Sequence, residues 1–265
     1  MKSRSMSKSA AKKKASGGFL ETAKTIVYAV LIALVVRTVA YEPFNIPSGS
    51  MVPSLLIGDY LFVSKFSYGY SRYSLPFGPP VGEGRLLVPA LSHQPQRGDV
   101  AVFKLPTDTS TDYIKRLVGL PGDRIQVRHG ELYINDQLVP RRPDPNCRND
   151  EAGFPLPLQH GYIETLPGSP GKPPVEHCII KVGDDGPLDN TPVYQVPPGH
   201  YFGMGDNRDN SQDSRVLSVV GYIPAANLVG QAQILFFSTD GTARLWEFWR
   251  WPFAIRYGRL FHLVR

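Results

Sequence analysis

Asp112-Tyr113-Ile114-Lys115-Arg116-Leu117-Val118-Gly119-Leu120-Pro121-Gly122-Asp123 reads as a strand that runs into a turn. Side chains alternate across a strand, so Tyr113, Lys115 and Leu117 share one face and Ile114, Arg116 and Val118 the other. The Pro-Gly pair then stops it. The same signature repeats outward from this stretch. Tyr60-Leu61-Phe62-Val63 and Val100-Ala101-Val102-Phe103 are short apolar runs, each preceded by a Gly-Asp turn pair. Ile125-Gln126-Val127 and Leu132-Tyr133-Ile134 flank Arg128-His129-Gly130-Glu131, the pattern of a hairpin. Residues 201–204 and 233–237 read as further strands. Beyond Tyr41 no stretch carries a long 3.6-residue apolar period, and Gly and Pro number 25 each in 265 residues, which disfavours long helices. The body is therefore expected to be mainly β, built of antiparallel sheets.

The N-terminal side is different in kind. Residues 20–41, LETAKTIVYAVLIALVVRTVAY, would make a helix of roughly 33 Å, close to the thickness of a bilayer core. The uninterrupted apolar part is only the 12 residues 25–36, between Lys24 and Arg37. A run that short also fits a removed signal sequence or a buried helix. Arg37 sits awkwardly for cleavage, whereas Lys24 and Arg37 can snorkel to opposite interfaces with Tyr41 and Phe44 at the boundary. Lys2, Arg4, Lys8, Lys12, Lys13 and Lys14 supply the whole net charge of +6, and residues 15–265 balance at 23 basic against 23 acidic. The folded part thus lacks the basic excess of a nucleic-acid-binding domain, and nucleic acid is set aside as a partner. The positive-inside rule instead keeps the tail in the cytoplasm and exports the chain beyond the apolar segment.

The expected organisation is a basic cytoplasmic tail (1–18), a membrane segment (19–41) and an exported body (42–265). Within the body, residues 139–198 stand apart: 13 of the 25 prolines fall between 140 and 198, and we expect an irregular Pro-rich inserted lobe. Both cysteines, Cys147 and Cys178, lie there without a metal-ligand spacing. In an oxidising compartment they would close a loop of about 30 residues, and two unpaired thiols are the alternative. No metal and no cofactor is expected. Residues 243–265 carry Trp246, Trp249 and Trp251 with Phe248, Phe253, Tyr257 and Phe261, interleaved with Arg244, Arg250, Arg256, Arg259 and Arg265. Such a segment suits the headgroup layer of a lipid bilayer, or else packs its rings on the core.

Three short stretches carry chemistry. Ile46-Pro47-Ser48-Gly49-Ser50-Met51-Val52-Pro53-Ser54-Leu55 fences two serines with prolines, as an exposed nucleophile with a nearby backbone N–H donor requires. In the strand quoted above, a lysine between apolar neighbours would lose its water and become a neutral base, while a solvated surface strand is the plainer reading. Gly203-Met204-Gly205-Asp206-Asn207-Arg208-Asp209-Asn210-Ser211-Gln212-Asp213-Ser214-Arg215 is either a salt-bridged turn or a rigid polar wall that holds a neighbouring amine.

In this order, PSGSMVPSL, YIKRLVGLPGD and GDNRDNSQDSR resemble the sequence boxes of bacterial type I signal peptidases, membrane-bound Ser/Lys proteases. The resemblance spans residues 41–215 and implies a retained single anchor. It implies Ser50 as nucleophile, Lys115 as general base, and the Ser50 N–H with the Ser48 hydroxyl as oxyanion hole. It further implies that Ser211 hydrogen-bonds Lys115, that Asp206, Arg208, Asp213 and Arg215 shape the wall, and that Ile46 and Ile114 line small substrate pockets. Exported preproteins near the secretion translocon would be the partners, and the outer, periplasmic side of the bacterial inner membrane the location. Two features depart from the pattern: Ser54 stands where Thr is frequent, and the insertion precedes the third box. A Ser-His-Asp hydrolase lacks its Gly-x-Ser-x-Gly elbow here, and the Ser-x-x-Lys instances at Ser5 and Ser169 are poorly placed for a penicillin-recognising enzyme. A catalytically inactive tethered scaffold is the non-enzymatic alternative.

Overall fold

The structure, a computed structural model, describes residues 10–74, 84–88, 90–147, 159–243 and 246–264, and of residues 10–18 the backbone alone. Helix α1 spans Ala10–Val39. Its part Phe19–Val39, 21 residues, is long and apolar enough to cross a bilayer and buries none of that face against the rest of the chain. A buried core helix is thereby excluded. The apolar part starts at Phe19, where the membrane segment is expected to start, and the helix that contains it has limits of its own. Residues 10–18, read as tail, are already helical, because Ala and Lys are strong helix formers. The helix also stops at Val39, since Tyr41 opens a strand. Residues 1–9, Arg244 and Arg265 lie outside the described residues. The body grips the helix end: Lys65 N–H donates to Ala40 O at 3.0 Å, the Tyr70 hydroxyl donates to Val39 O, and Lys65 Nζ pairs with Glu42 at 3.0 Å.

The strands are β1 Tyr41–Asn45, β2 Asp59–Ser64, β3 Val100–Leu105, β4 Asp108–Gly119, β5 Arg124–Arg128, β6 Glu131–Ile134 and β7 Gln137–Leu138. After them come β8 Arg141–Pro143, β9 His160–Leu166, β10 Val175–Lys181, β11 Tyr194–Gln195, β12 His200–Met204, β13 Ile223–Pro224 and β14 Leu228–Ser238. They form three antiparallel sheets, ordered β1-β2-β14-β3-β4-β12-β13, β11-β5-β6-β7 and β10-β9-β8. Period-two alternation fills both faces of the large sheet. From β3, Val100 and Val102 join a cluster with Ile46, Met51 and Leu61, while Ala101 and Phe103 join the opposite one with Leu117 and Tyr201. A third cluster, holding Val118, Ile125, Leu132 and Phe202, seals the second sheet against the first. The β5–β6 hairpin turns on His129 and Gly130, both at positive φ (48° and 71°), the conformation a two-residue turn needs.

The insertion corrects the expectation of irregularity. Its described part contains the third sheet, with β9 and β10 in register from Val175↔Leu166 to Lys181↔His160. Proline density misleads here because Pro167, Pro170, Pro173 and Pro174 fall in the β9–β10 connection, where no ladder donor is needed. Pro143 lies in the edge strand β8. Cys147 and Cys178 are joined in a disulfide. In the C-terminal segment a short helix, α2 Trp251–Ala254, buries only Ala254. Trp246, Phe248, Trp249, Phe253, Tyr257 and Phe261 are exposed, so these rings do not pack on the core.

Candidate active site

Beyond β1 the chain enters a tight turn, Gly49–Met51, anchored by fully buried Met51, Val52 and Leu55. Ser48 stands before it in extended conformation (φ −130°, ψ 153°), and its hydroxyl makes no capping bond with the turn. Ser50 rides on the turn, mostly buried. Two backbone carbonyls fix it: Asn207 N–H donates to Ser50 O at 3.1 Å, and Asn207 Nδ2 donates to Gly49 O at 3.1 Å.

β4 delivers the second group. Lys115 Nζ lies 2.7 Å from Ser50 Oγ and donates to Ile114 O at 2.9 Å. The residue is 3 % exposed, and its neighbour Arg116 is fully buried on the other face. Both faces of the strand are covered at this point, which excludes a solvated surface strand. Burial pushes the Lys115 amine down to about 8; the Asp213 and Asp206 carboxylates oppose this, and Arg215 reinforces it. The N–H given to Ile114 leaves the lone pair of the neutral amine free to accept from the Ser50 hydroxyl. A cleft of about 640 Å³ opens over the pair, lined by Ser48, Ser50, Ile114, Lys115, Asp209 and Ser211 among others.

The third motif forms the rear wall through buried ion pairs. Asp206 takes Arg116 Nε and Nη2 at 2.9 and 2.7 Å and accepts from Ser54 Oγ at 2.5 Å. Burial alone would raise the Asp206 carboxyl, but Arg116 holds it below the usual range. Asp213 takes Arg215 Nε and Nη2 at 2.9 and 2.8 Å and Gly205 N–H at 3.0 Å. Arg215 Nη2 also donates to Arg208 O at 2.6 Å, which ties one end of the motif to the other. Gly205 is sterically required, since a Cβ there would lie 2.2 Å from Ser211 Oγ and 2.4 Å from Ser50 O.

The structure thus brings Ser48, Ser50, Ile114, Lys115 and Ser211 to one cleft, with Asp206, Arg208, Asp213 and Arg215 behind it. One expectation needs correction. Among the described residues the buried Ser211 Oγ has no hydrogen-bond partner, and it does not bond Lys115, whose second partner is the Ile114 carbonyl. Ile46 and Ile114, with Val102 and Phe44, line a hollow of about 280 Å³ that adjoins the cleft. Sequence reasoning missed Arg116, Asn207 and Ser54 as structural partners. Arg116 was legible in principle, because the alternation that buries Lys115 on one face of a covered strand also buries its neighbour.

The description "Signal peptidase, peptidase S26" belongs to the family model that matches residues 19–237. Signal peptidase I of Rickettsia canadensis is 42% identical over 224 residues, covering 83% of this chain and 80% of that protein. Signal peptidase I of Rickettsia typhi is 41% identical over 223 residues, covering 82% and 80%. A crystal structure of signal peptidase I from Enterococcus faecalis is 26% identical and covers 52% of this chain and 97% of its own, with a TM-score of 0.30. The match runs from the membrane helix through β14, and so takes in both the Ser50 turn and the Lys115 strand: the chain belongs to the signal peptidase family, the S26 serine peptidases.

Proposed function

We propose that the family's reaction, removal of signal peptides from exported preproteins, is performed here by Ser50 and Lys115. One observation carries the reading: a lysine amine stripped of water sits 2.7 Å from a serine hydroxyl at the floor of an open cleft. Neutral Lys115 takes the hydroxyl proton as Ser50 Oγ attacks the scissile carbonyl carbon. The Ser50 N–H and the Ser48 hydroxyl receive the oxyanion. The Lys115 ammonium then protonates the leaving amine as the C–N bond breaks; neutral Lys115 next takes a proton from the water that attacks the acyl carbon and returns it to Ser50 Oγ as the acyl–oxygen bond breaks.

The substrate enters as a strand. β12 pairs with β4 only at Arg116–Gly119, so on that side the β4 backbone at residues 111–114 is open along the cleft. Small residues at −1 and −3 of the cleavage site fit the cleft floor and the Ile46–Ile114 hollow, where larger side chains would overlap the walls. The body sits on the outer, periplasmic face of the inner membrane with α1 spanning it, the N-terminus in the cytoplasm and the translocon nearby. The exposed tryptophans and phenylalanines at residues 246–261 add a second lipid contact.

The test is cleavage of a purified precursor after Ala-x-Ala by the full chain in detergent or liposomes. Its pH profile follows from the base. Only neutral Lys115 can accept the proton, so kcat/KM should fall about tenfold per unit below pH 8 and level off above it. A flat profile down to pH 5 excludes a lysine base. Gly205→Ala should lower kcat by about tenfold or more, because the new methyl displaces the Ser50 carbonyl or the Ser211 hydroxyl. Unchanged turnover would mean that the loop gives way harmlessly.

A further inference from the structure

The inserted sheet touches the site from behind at four points. Ile180 of β10 pairs with the third motif like an added strand: its N–H donates to Asp206 O and its carbonyl accepts from Arg208 N–H, each at 3.0 Å. The Ile180 side chain packs on Val52 and Leu56, just after the nucleophile turn. Glu164 of β9 holds the Arg208 guanidinium in a two-pronged pair, at 2.6 Å to Nη1 and 2.5 Å to Nη2, with both side chains buried. Lys181 of β10, also buried, bridges Asp189 at 2.6 Å and Asp209 at 3.0 Å. Asp209 is pinned again by Val182 N–H at 2.6 Å, and its residue lines the catalytic cleft.

These bonds converge on a loop with little independent freedom. Arg208 is held by Glu164 on one side and donates to Gly205 O at 3.2 Å on the other. Asn207, between Asp206 and Arg208, carries the two bonds to the Gly49 and Ser50 carbonyls. A displacement at Arg208 is therefore passed to the nucleophile turn within one residue.

We infer that Glu164 and Lys181 are positioning residues of this peptidase site: from the inserted sheet they fix residues 205–212, and through Asn207 they keep Ser50 Oγ within reach of Lys115 Nζ. The inference rests on the function proposed above. It gives the insertion a role in holding the catalytic pair together. The disulfide between Cys147 and Cys178 ties down β10 two residues before Ile180, and β10 is the strand that bears on the loop.

The experiment compares full-length wild type, Glu164→Gln, Lys181→Met, Lys181→Arg and Asp209→Asn in detergent. Asp209→Asn covers the case in which a buried-charge variant fails to fold, because Lys181 keeps its bond to Asp189. Two readouts are taken: kcat and KM on a purified precursor, and the Lys115 side-chain titration followed by NMR. Around Lys115 stand Asp206, Asp213 and Arg215 from the third motif, Tyr113 from its own strand and the Ser50 hydroxyl, none of them altered in these variants. Loosening the loop admits water to the amine, so its titration should move upward by about half a unit or more. In Glu164→Gln and Lys181→Met, kcat should fall about 10- to 100-fold with KM changed by less than about threefold; Asp209→Asn should act in the same direction, and Lys181→Arg should recover part of the loss. Folded variants with wild-type kcat and an unmoved titration would overturn the inference, whatever their melting temperatures. If wild type itself fails to cleave the precursor, the proposed function falls, while the Lys115 titration still decides whether the inserted sheet positions the pair.

Discussion

Ser50→Ala and Lys115→Met should each abolish precursor cleavage, with losses of at least about 10³-fold in kcat, while moving stability in different directions. The Ser50 hydroxyl is the only atom removed in the first variant, and its partner Lys115 keeps the Ile114 carbonyl. Folding should change little. Lys115→Met removes a group that the fold tolerates at a cost. The amine is pushed from its ordinary 10.5 to about 8 by burial, so the unfolded chain binds this proton more tightly than the folded one. Below pH 8 that difference lowers stability by its full amount, about 3 kcal/mol at 1.36 kcal/mol per unit. The penalty fades as pH rises from 8 to 10.5. Lys115→Met should therefore unfold at higher denaturant than wild type at pH 7, and the advantage should shrink above pH 10. Urea titrations in detergent at the two pH values measure it. A methionine variant less stable than wild type at pH 7, with no difference that shrinks above pH 10, would mean that burial does not weaken the amine's hold on its proton, which would remove the base from the mechanism.

How much of this was legible in the residues differs from element to element. The strands of the large sheet declare themselves because a half-buried strand must alternate and its turns must use Gly and Asp; β2, β3 and the β5–β6 hairpin fall where Tyr60, Val100 and the His129-Gly130 pair put them. The Ser50 and Lys115 stretches are contiguous runs, so their chemistry could be read locally. The inserted sheet was not legible, because β9 and β10 expose charged and polar positions such as His160 and Glu176 and are separated by prolines, which masks their alternation. Nor could any local pattern reveal that Glu164 meets Arg208 across 44 positions, or that Asp206 meets Arg116 across 90. The Ser211 expectation failed for a different reason. The nearest carbonyl on Lys115's own strand, Ile114 O, satisfies the amine, and a backbone partner one residue away leaves no trace in sequence.

Arg116→Met should cost about 3–5 kcal/mol, the largest stability loss expected of any single substitution in the site. The guanidinium is fully buried and serves the Asp206 carboxylate twice, Gly98 O at 2.8 Å and Ser54 Oγ at 3.2 Å. Its removal leaves Asp206 a buried carboxylate without its guanidinium partner, which is far worse than losing a pair outright. Arg116→Met/Asp206→Leu should therefore recover most of the loss, and the double-mutant cycle isolates the coupling. The pH dependence supplies an independent check through His177, whose Nε2 lies 3.5 Å from Glu164 and 3.7 Å from Asp206. In wild type, burial first and then Arg116 push this imidazole down to about 3. It stays neutral in the fold while the unfolded histidine charges below about 6.5, so wild type should lose stability as pH falls from 6.5 towards 3. Without Arg116, the imidazolium keeps its two carboxylate neighbours and loses a repelling cation. The acid slope of Arg116→Met should accordingly be shallower than that of wild type, and its deficit smaller at pH 5 than at pH 8. Denaturant midpoints at those two values decide it: a deficit below about 1 kcal/mol, or one that grows on acidification, would show that the Arg116–Asp206 pair is not the keystone its burial implies.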